Sequence, residues 1–176
     1  WAQAALSPEA LGYVEAHGTG TSVGDKIEFD GLMEALGSEA QDVVLGSSKA
    51  NVGHTMSTAG IAGLMRALLA MHHRVRPPMA NFEAAKEDLA LNASPFRIPT
   101  QAEPWESEHR VAAVSSFGFG GTNVHVVLES NESPSVASAQ PELICMSAPD
   151  MEDLKVLAKA TADALELDLK ATASGV

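Results

Sequence analysis

Residues 42–73, DVVLGSSKANVGHTMSTAGIAGLMRALLAMHH, decide the fold. Their opening, DVVLGSS, is continuously apolar at its centre, the pattern of a strand covered on both faces. KANVGH then reads as a polar turn. From residue 55 to about residue 73 the pattern is helical and apolar nearly all round, with small residues at 59, 60, 62, 63 and 67. A helix without a polar side lies inside a protein, and small residues let a neighbouring backbone come close to it. A covered strand leading into a buried central helix predicts an α/β fold.

Upstream, ALGYVEA (residues 10–16) predicts a short strand that runs into the loop HGTGTSVG. Asp25 stands three residues before Glu28, a capping-box spacing with Asp as the cap. Phe29, Leu32, Met33 and Leu36 then fall on one face until Gly37 ends the helix. Downstream, residues 76–110 are proline-punctuated and irregular, which predicts a surface excursion of the kind that often carries function. VAAVSSFGFGGTNVHVVLE (residues 111–129) predicts strand, Gly-Phe-Gly-Gly turn and strand, with Val124, Val126 and Leu128 alternating against His125, Val127 and Glu129. Residues 131–141, within SNESPSVASAQP, have the composition of a linker. Residues 142–176 predict a strand and an amphipathic helix starting near Asp150, with Leu154, Leu157, Ala158, Thr161 and Leu165 on one side, the truncated start of a second domain.

At 176 residues, 45% of them hydrophobic and 19% charged, the chain should fold. Its formal net charge of -12 disfavours nucleic acid and anionic membrane as partners, since both would repel such a surface. The lone Cys145 excludes an intrachain disulfide and fits a reducing, cytoplasmic setting. No apolar run approaches the ~20 residues of a membrane span, and Trp1 opens the chain without a signal-peptide pattern. A start inside what soon reads as a strand leads us to expect an upstream segment.

Three strands are expected to end in special residues: His17, the turn at 49–54 with Lys49 and His54, and the turn at 117–123. In an open α/β sheet ligands bind outside the carboxyl ends of strands, so the three could converge. Either histidine alone could simply fill a turn, but two in like places favour a site. His54 directly precedes the apolar helix, whose dipole should keep its ring neutral and able to polarise a carbonyl. Lys49 needs a carboxylate or a polar pocket, as a structural ion-pair partner or as a working group. The turn of Gly118, Phe119, Gly120 and Gly121 is either a plain hairpin or a source of backbone N–H groups for an oxyanion. GTGTSVG is one residue off the dinucleotide fingerprint, and Asp25 would repel a pyrophosphate. The six histidines show no i, i+4 pair and no accompanying acidic cluster, so a hydrolytic metal centre is disfavoured.

In their order and spacing, VEAHGTGTSVGDKIE, SSKANVGHTMSTAGIAGLMRALLAMHHRVRPP and SSFGFGGTNVHVVLE resemble the C-terminal half of a β-ketoacyl synthase, over roughly residues 10–130. The resemblance is strongest to ketosynthase domains of iterative multienzymes, the type I polyketide synthase and polyunsaturated fatty acid synthase kind. It implies a thiolase-like α/β fold with a mixed sheet, and decarboxylative Claisen condensation between a cysteine-bound acyl chain and malonyl on an acyl carrier protein. His17 and His54 would bond the malonyl thioester carbonyl, and Lys49 would hold the polar network beneath. Phe119 would gate the site, the loop 118–121 would help form the oxyanion hole, and Thr19, Thr21 and Asn123 would support pantetheine or the loops. No directly bound cofactor or metal is implied, only substrates carried on phosphopantetheine. The implied partners are the acyl carrier protein, the N-terminal ketosynthase half, a second copy in a homodimer and an adjacent acyltransferase domain.

Departures from the family pattern matter too. No nucleophilic-cysteine stretch exists here, and Cys145 has neither a glycine elbow nor a following helix N-terminus to replace it. Some free-standing members carry a glutamate nine positions past the second histidine, where this chain has Gly63. Lys26 stands where many polyketide relatives have proline. Residues 142–176 resemble the start of the linker domain that follows the ketosynthase. The chain is therefore expected to be a condensing-enzyme fragment, inactive alone; the alternative is a non-catalytic scaffold or chain-length-determining subunit.

Overall fold

The computed structural model describes residues 1–37, 39–131 and 150–174, with side chains as far as residue 163. Two compact units, Trp1–Ser133 and Pro134–Val176, make up the chain. In the first, the principal elements are β1 (Leu11–Glu15), α1 (Ser22–Leu36), β2 (Val43–Gly46), α2 (Lys49–Val52), α3 (Ala59–His72), β3 (Val75–Arg76), β4 (Phe96–Arg97), β5 (Glu103–Pro104), β6 (Val111–Phe117) and β7 (Asn123–Glu129). In the second the described residues form α4 (Met151–Ser174), whose first amides, of Glu152 and Asp153, donate to the Asp150 carboxylate.

The main sheet has the order β4-β2-β1-β6-β7, and β3 pairs with β5 as a separate antiparallel ribbon. β4, β2, β1 and β6 run parallel, while β7 returns antiparallel along β6. Apolar side chains alternate to opposite faces, as period-two geometry requires. Leu11, Val43, Val111 and Ala113 meet Phe29, Leu32 and Leu36 of α1 on one face. Tyr13, Val44, Ala112 and Val114 meet Ala67, Ala70 and Met71 of α3 on the other. Because β1, β2 and β6 are parallel, their carboxyl ends lie along one edge. The loop after each strand opens there.

Small residues set how closely α3 approaches the sheet. A Cβ at Gly60 would lie 3.0 Å from Ser116 Oγ, and one at Gly63 would lie 3.0 Å from Glu15 Cγ. The opposite face of α3 is uncovered: Ile61 is 62% and Leu69 50% exposed. Among the described residues, the all-round apolarity of the helix thus corresponds to burial on one side only.

Several elements differ from expectation. α1 begins at Ser22, four residues earlier than a cap at Asp25 would allow, because Thr21 Oγ1 caps it by accepting the Gly24 amide at 3.2 Å. The polar stretch KANVGH folds its first four residues into α2. α3 starts only at Ala59, after a 3-10 turn at Met56–Thr58. Within the irregular excursion, β4 adds a parallel edge strand to the sheet through Val43↔Phe96 and Val44↔Arg97. Its two residues are too short to leave a periodic signal. Residues 132–141 of the expected linker, Cys145 and the strand expected beside it lie outside the described residues.

Candidate functional site

β1 ends at Glu15, and the chain turns through residues 17–21 with Gly18 and Gly20 at φ of 43° and 78°. Both angles lie in the left-handed region that glycine enters without a Cβ penalty. The loop is held from below. Glu28, nearly two turns into α1, accepts the His17 amide at 2.8 Å through Oε1 and the Gly18 amide at 2.9 Å through Oε2. Burial raises the Glu28 pKa, opposed by these two amide donors. The sequence pattern placed Glu28 in a capping box; it instead fixes the backbone that carries His17.

The rings of His17 and His54 lie 5.6 Å apart, centroid to centroid, and stand edge-to-face at 83°. The Phe117 amide donates to His17 Nδ1 at 3.3 Å, and the Met56 amide donates to His54 Nδ1 at 3.0 Å. A ring nitrogen that accepts from an amide cannot itself carry the proton, so each neutral ring has its N–H at Nε2. At His54 the donor to Nδ1 belongs to the 3-10 turn, which separates the ring from α3. Burial lowers the pKa of His17, and the charges of Lys49 and then His54 lower it further.

Lys49 opens α2 directly beyond β2, and burial lowers its pKa against the attraction of Glu15 and Glu28. Glu15 is 1% exposed. Its Oε2 accepts Tyr13 Oη–H at 2.5 Å and Arg66 Nη1–H at 3.0 Å, while its Oε1 accepts the Ser48 amide. Ser47 Oγ donates to the Gly18 carbonyl at 3.3 Å, tying the turn after β2 to the loop after β1.

The third loop brings two aromatic rings to the pair and leaves His54 exposed. Phe119, 94% exposed, stacks on His54 with centroids 6.2 Å apart and planes at 16°, and Phe117 lies 5.3 Å from His17. The Gly118 amide donates to the Thr122 carbonyl and the Gly121 amide to the Gly118 carbonyl, both at 2.9 Å. Those two donors are spent within the turn. Asn123 faces Phe117 across the first rung of the hairpin, and Thr19 Oγ1 sits 3.3 Å from Thr21 Oγ1. Thr21 is therefore a helix cap as well as a candidate ligand group. A cavity of about 500 Å³ behind the loop is walled by Gly18, Thr19, Glu28, Lys49, Asn81 and Phe82, and the two histidines are not among its lining residues.

The three strand-end loops predicted from sequence thus meet, with His17, His54, Lys49 and Phe119 drawn to one edge of the sheet. Among the described residues, no three His, Cys, Asp or Glu side chains cluster in a way that could hold a metal ion. Sequence reasoning missed Glu15, Arg66 and Tyr13. The signal was present, since a Glu in an otherwise apolar strand must find a partner when buried.

Residues 1–83 match the family described as “Beta-ketoacyl synthase, C-terminal domain”, and residues 86–174 match the “Ketoacyl-synthetase C-terminal extension”. The chain belongs to the β-ketoacyl synthase family. Similar proteins include polyketide synthase PksL of Bacillus subtilis, 37% identical over 169 residues that cover 90% of this chain and 4% of that protein. A phenolphthiocerol/phthiocerol polyketide synthase of Mycobacterium tuberculosis is 41% identical over 174 residues, covering 92% and 12% respectively. Among solved structures, the oxazolomycin ketosynthase domain OzmH KS7 of Streptomyces albus matches with a TM-score of 0.79 at 38% identity, covering 97% of this chain and 32% of that one. The ketosynthase from module 6 of the bacillaene synthase of Bacillus subtilis matches with a TM-score of 0.75 at 37% identity, covering 94% and 29%. The fold is therefore the thiolase-like α/β fold of ketosynthases. This ketosynthase segment spans about a third of the solved ketosynthase chains and a small fraction of the curated synthases.

Proposed function

We propose that this chain supplies the decarboxylating half of a ketosynthase active site. In this reading the Nε2–H groups of His17 and His54 both donate to the thioester carbonyl oxygen of a malonyl group carried on the phosphopantetheine of an acyl carrier protein. Loss of carbon dioxide leaves its bonding electrons as an enolate, whose oxygen gains negative charge and binds both donors more tightly than the carbonyl did. The enolate carbon then attacks the acyl thioester on a cysteine supplied by the rest of the ketosynthase; a carbon–carbon bond forms and the cysteine thiolate leaves. The observation that carries the proposal is the edge-to-face ring pair at 5.6 Å with both Nδ1 atoms occupied by backbone amides.

Lys49 supplies positive charge beneath the pair, and Phe119 stacks its ring on that of His54. The turn at 118–121 contributes an oxyanion donor from Phe119 or Gly120, whose amides have no partner among the described residues. Thr19, Thr21 and Asn123 line the approach for the pantetheine arm. The enzyme class is acyltransferase, with the chain inactive by itself. Its partners are the acyl carrier protein, the N-terminal ketosynthase half, a second ketosynthase copy and an adjacent acyltransferase domain, in the cytoplasm. Among the described residues no helix is long and apolar enough to cross a membrane. Residues 1–130 form the ketosynthase part, and residues 142–176 begin the domain that follows it. In the full chain that contains this segment, His54→Ala should abolish malonyl decarboxylation while leaving acyl transfer to the cysteine largely intact. Retained decarboxylation would contradict the assignment.

A further inference from the structure

We infer that Glu15 is a positioning residue for this site, tying the three segments that carry His17, Lys49 and His54 into one rigid frame. The inference rests on the decarboxylation reading above. Glu15 ends β1, two residues before His17. Its Oε1 takes the amide of Ser48, the residue directly before Lys49. Its Oε2 takes Arg66 Nη1, on the helix that follows His54. Arg66 also donates from Nη1 to Tyr13 Oη at 2.8 Å and from Nη2 to the Pro78 carbonyl at 2.7 Å, so the network extends into the excursion beyond α3. No other described side chain bonds to all three segments.

The frame has an unusual spatial requirement. A Cβ placed on Gly63 would lie 3.0 Å from Glu15 Cγ and 3.4 Å from its Oε1. The carboxylate occupies the space into which a residue-63 side chain would grow, which explains why α3 carries glycine at this buried position. A buried carboxylate costs desolvation that a charged partner and well-aligned donors must offset, so a stable core alone would be served as well by an apolar side chain. What the ion pair adds is direction. It fixes the separation of the two strand ends on which the imidazoles depend, and catalytic groups displaced by about 1 Å lose on the order of a hundredfold in rate.

The test uses the full chain containing this segment, with three variants measured beside the parent. Glu15→Gln keeps the shape but turns one oxygen into a donor facing Arg66 and Tyr13. Gly63→Ala keeps every charge and displaces the carboxylate sterically, which covers the case in which Glu15→Gln does not fold. His54→Ala is the reference for the site itself. The expected result is a loss of kcat for malonyl decarboxylation on the order of ten- to a hundredfold in Glu15→Gln and about tenfold in Gly63→Ala. KM for the malonyl carrier and the rate of acyl loading onto the cysteine should stay within about threefold, as a lost transition-state interaction requires. Should folded Gly63→Ala or Glu15→Gln decarboxylate at the parental rate while His54→Ala is inactive, Glu15 is structural only and the inference fails. An equal drop in acyl loading and decarboxylation also overturns it, since that marks general loss of structure. If His54→Ala itself decarboxylates normally, the underlying function fails instead.

Discussion

Glu28 holds His17 through the main chain: its two carboxylate oxygens take the amides of His17 and Gly18, at 2.8 and 2.9 Å, and leave the imidazole free to face His54. The acid thus shapes the loop without touching the ring's reactive edge.

Replacing Glu28 by alanine leaves two loop amides unpaired, and a half-buried donor without an acceptor costs about 1–3 kcal/mol. Chemical denaturation should register that loss. The decarboxylation rate should also fall, whereas Asp30→Asn, which removes only an exposed ion pair with Lys26 on the same helix, should change stability by less than about 0.5 kcal/mol. Equal effects from the two substitutions would remove the role given to Glu28.

The pKa of His17 is lowered from 6.5 by burial first, then by Lys49 and His54. In the window below pH 6.5 the unfolded chain therefore binds more protons than the folded one, so this group's contribution to stability is present above 6.5 and is lost as pH falls through the folded value. Lys49→Met removes a positive neighbour and should move the His17 titration up toward 6.5, read from the imidazole C–H resonances by NMR. The His125 ring, lowered chiefly by its own burial and bonded to Ser115, should not move with it. A downward shift of His17 in Lys49→Met would reverse the electrostatic account.

Gly12 packs against Trp105, where an added Cβ would stand 2.8 Å from indole Cζ2 and Nε1. Trp105 is buried among Tyr13 and Val44, leaving the ring little room to retreat. Gly12→Ala should destabilise the fold by about 1–3 kcal/mol, with a change in tryptophan emission. An unchanged unfolding midpoint would show that the ring relocates freely.

The open face of α3 presents Ile61, Met65 and Leu69 together, all at least half exposed. Contiguous apolar surface of this kind drives association. Expressed by itself, the chain should sediment or elute as an oligomer or aggregate, and the pair Ile61→Lys, Leu69→Glu should shift it toward monomer with unchanged circular dichroism. A monodisperse parental monomer would contradict this.

Much of the site was legible because its signals are local. Strand-ending motifs announced the loops of His17, His54 and Phe119, and one parallel sheet brings the ends of parallel strands to one edge whatever its exact order. The apolar faces of α1 and β6 were equally plain. The hidden parts depend on partners distant in sequence. Glu28 sits at a spacing that also fits a helix cap, and only coordinates reveal that it bonds the loop ten and eleven residues earlier. Glu15 and Arg66 are 51 residues apart, and nothing in either neighbourhood names the other. The two-residue strand β4 has no periodicity to read. At α3 the pattern reported total apolarity, whereas burial depends on which segments are there to cover it.

The most direct test of the paired-imidazole site is a double-mutant cycle on malonyl decarboxylation in the full chain, with His17→Ala, His54→Ala and the two combined. Two donors serving one oxygen should each cost on the order of 10²–10³ in rate when removed, with the double variant little slower than the slower single one, because groups that act as a unit are strongly non-additive. Costs that multiply independently, or a single variant that decarboxylates at the parental rate, would contradict a shared oxygen.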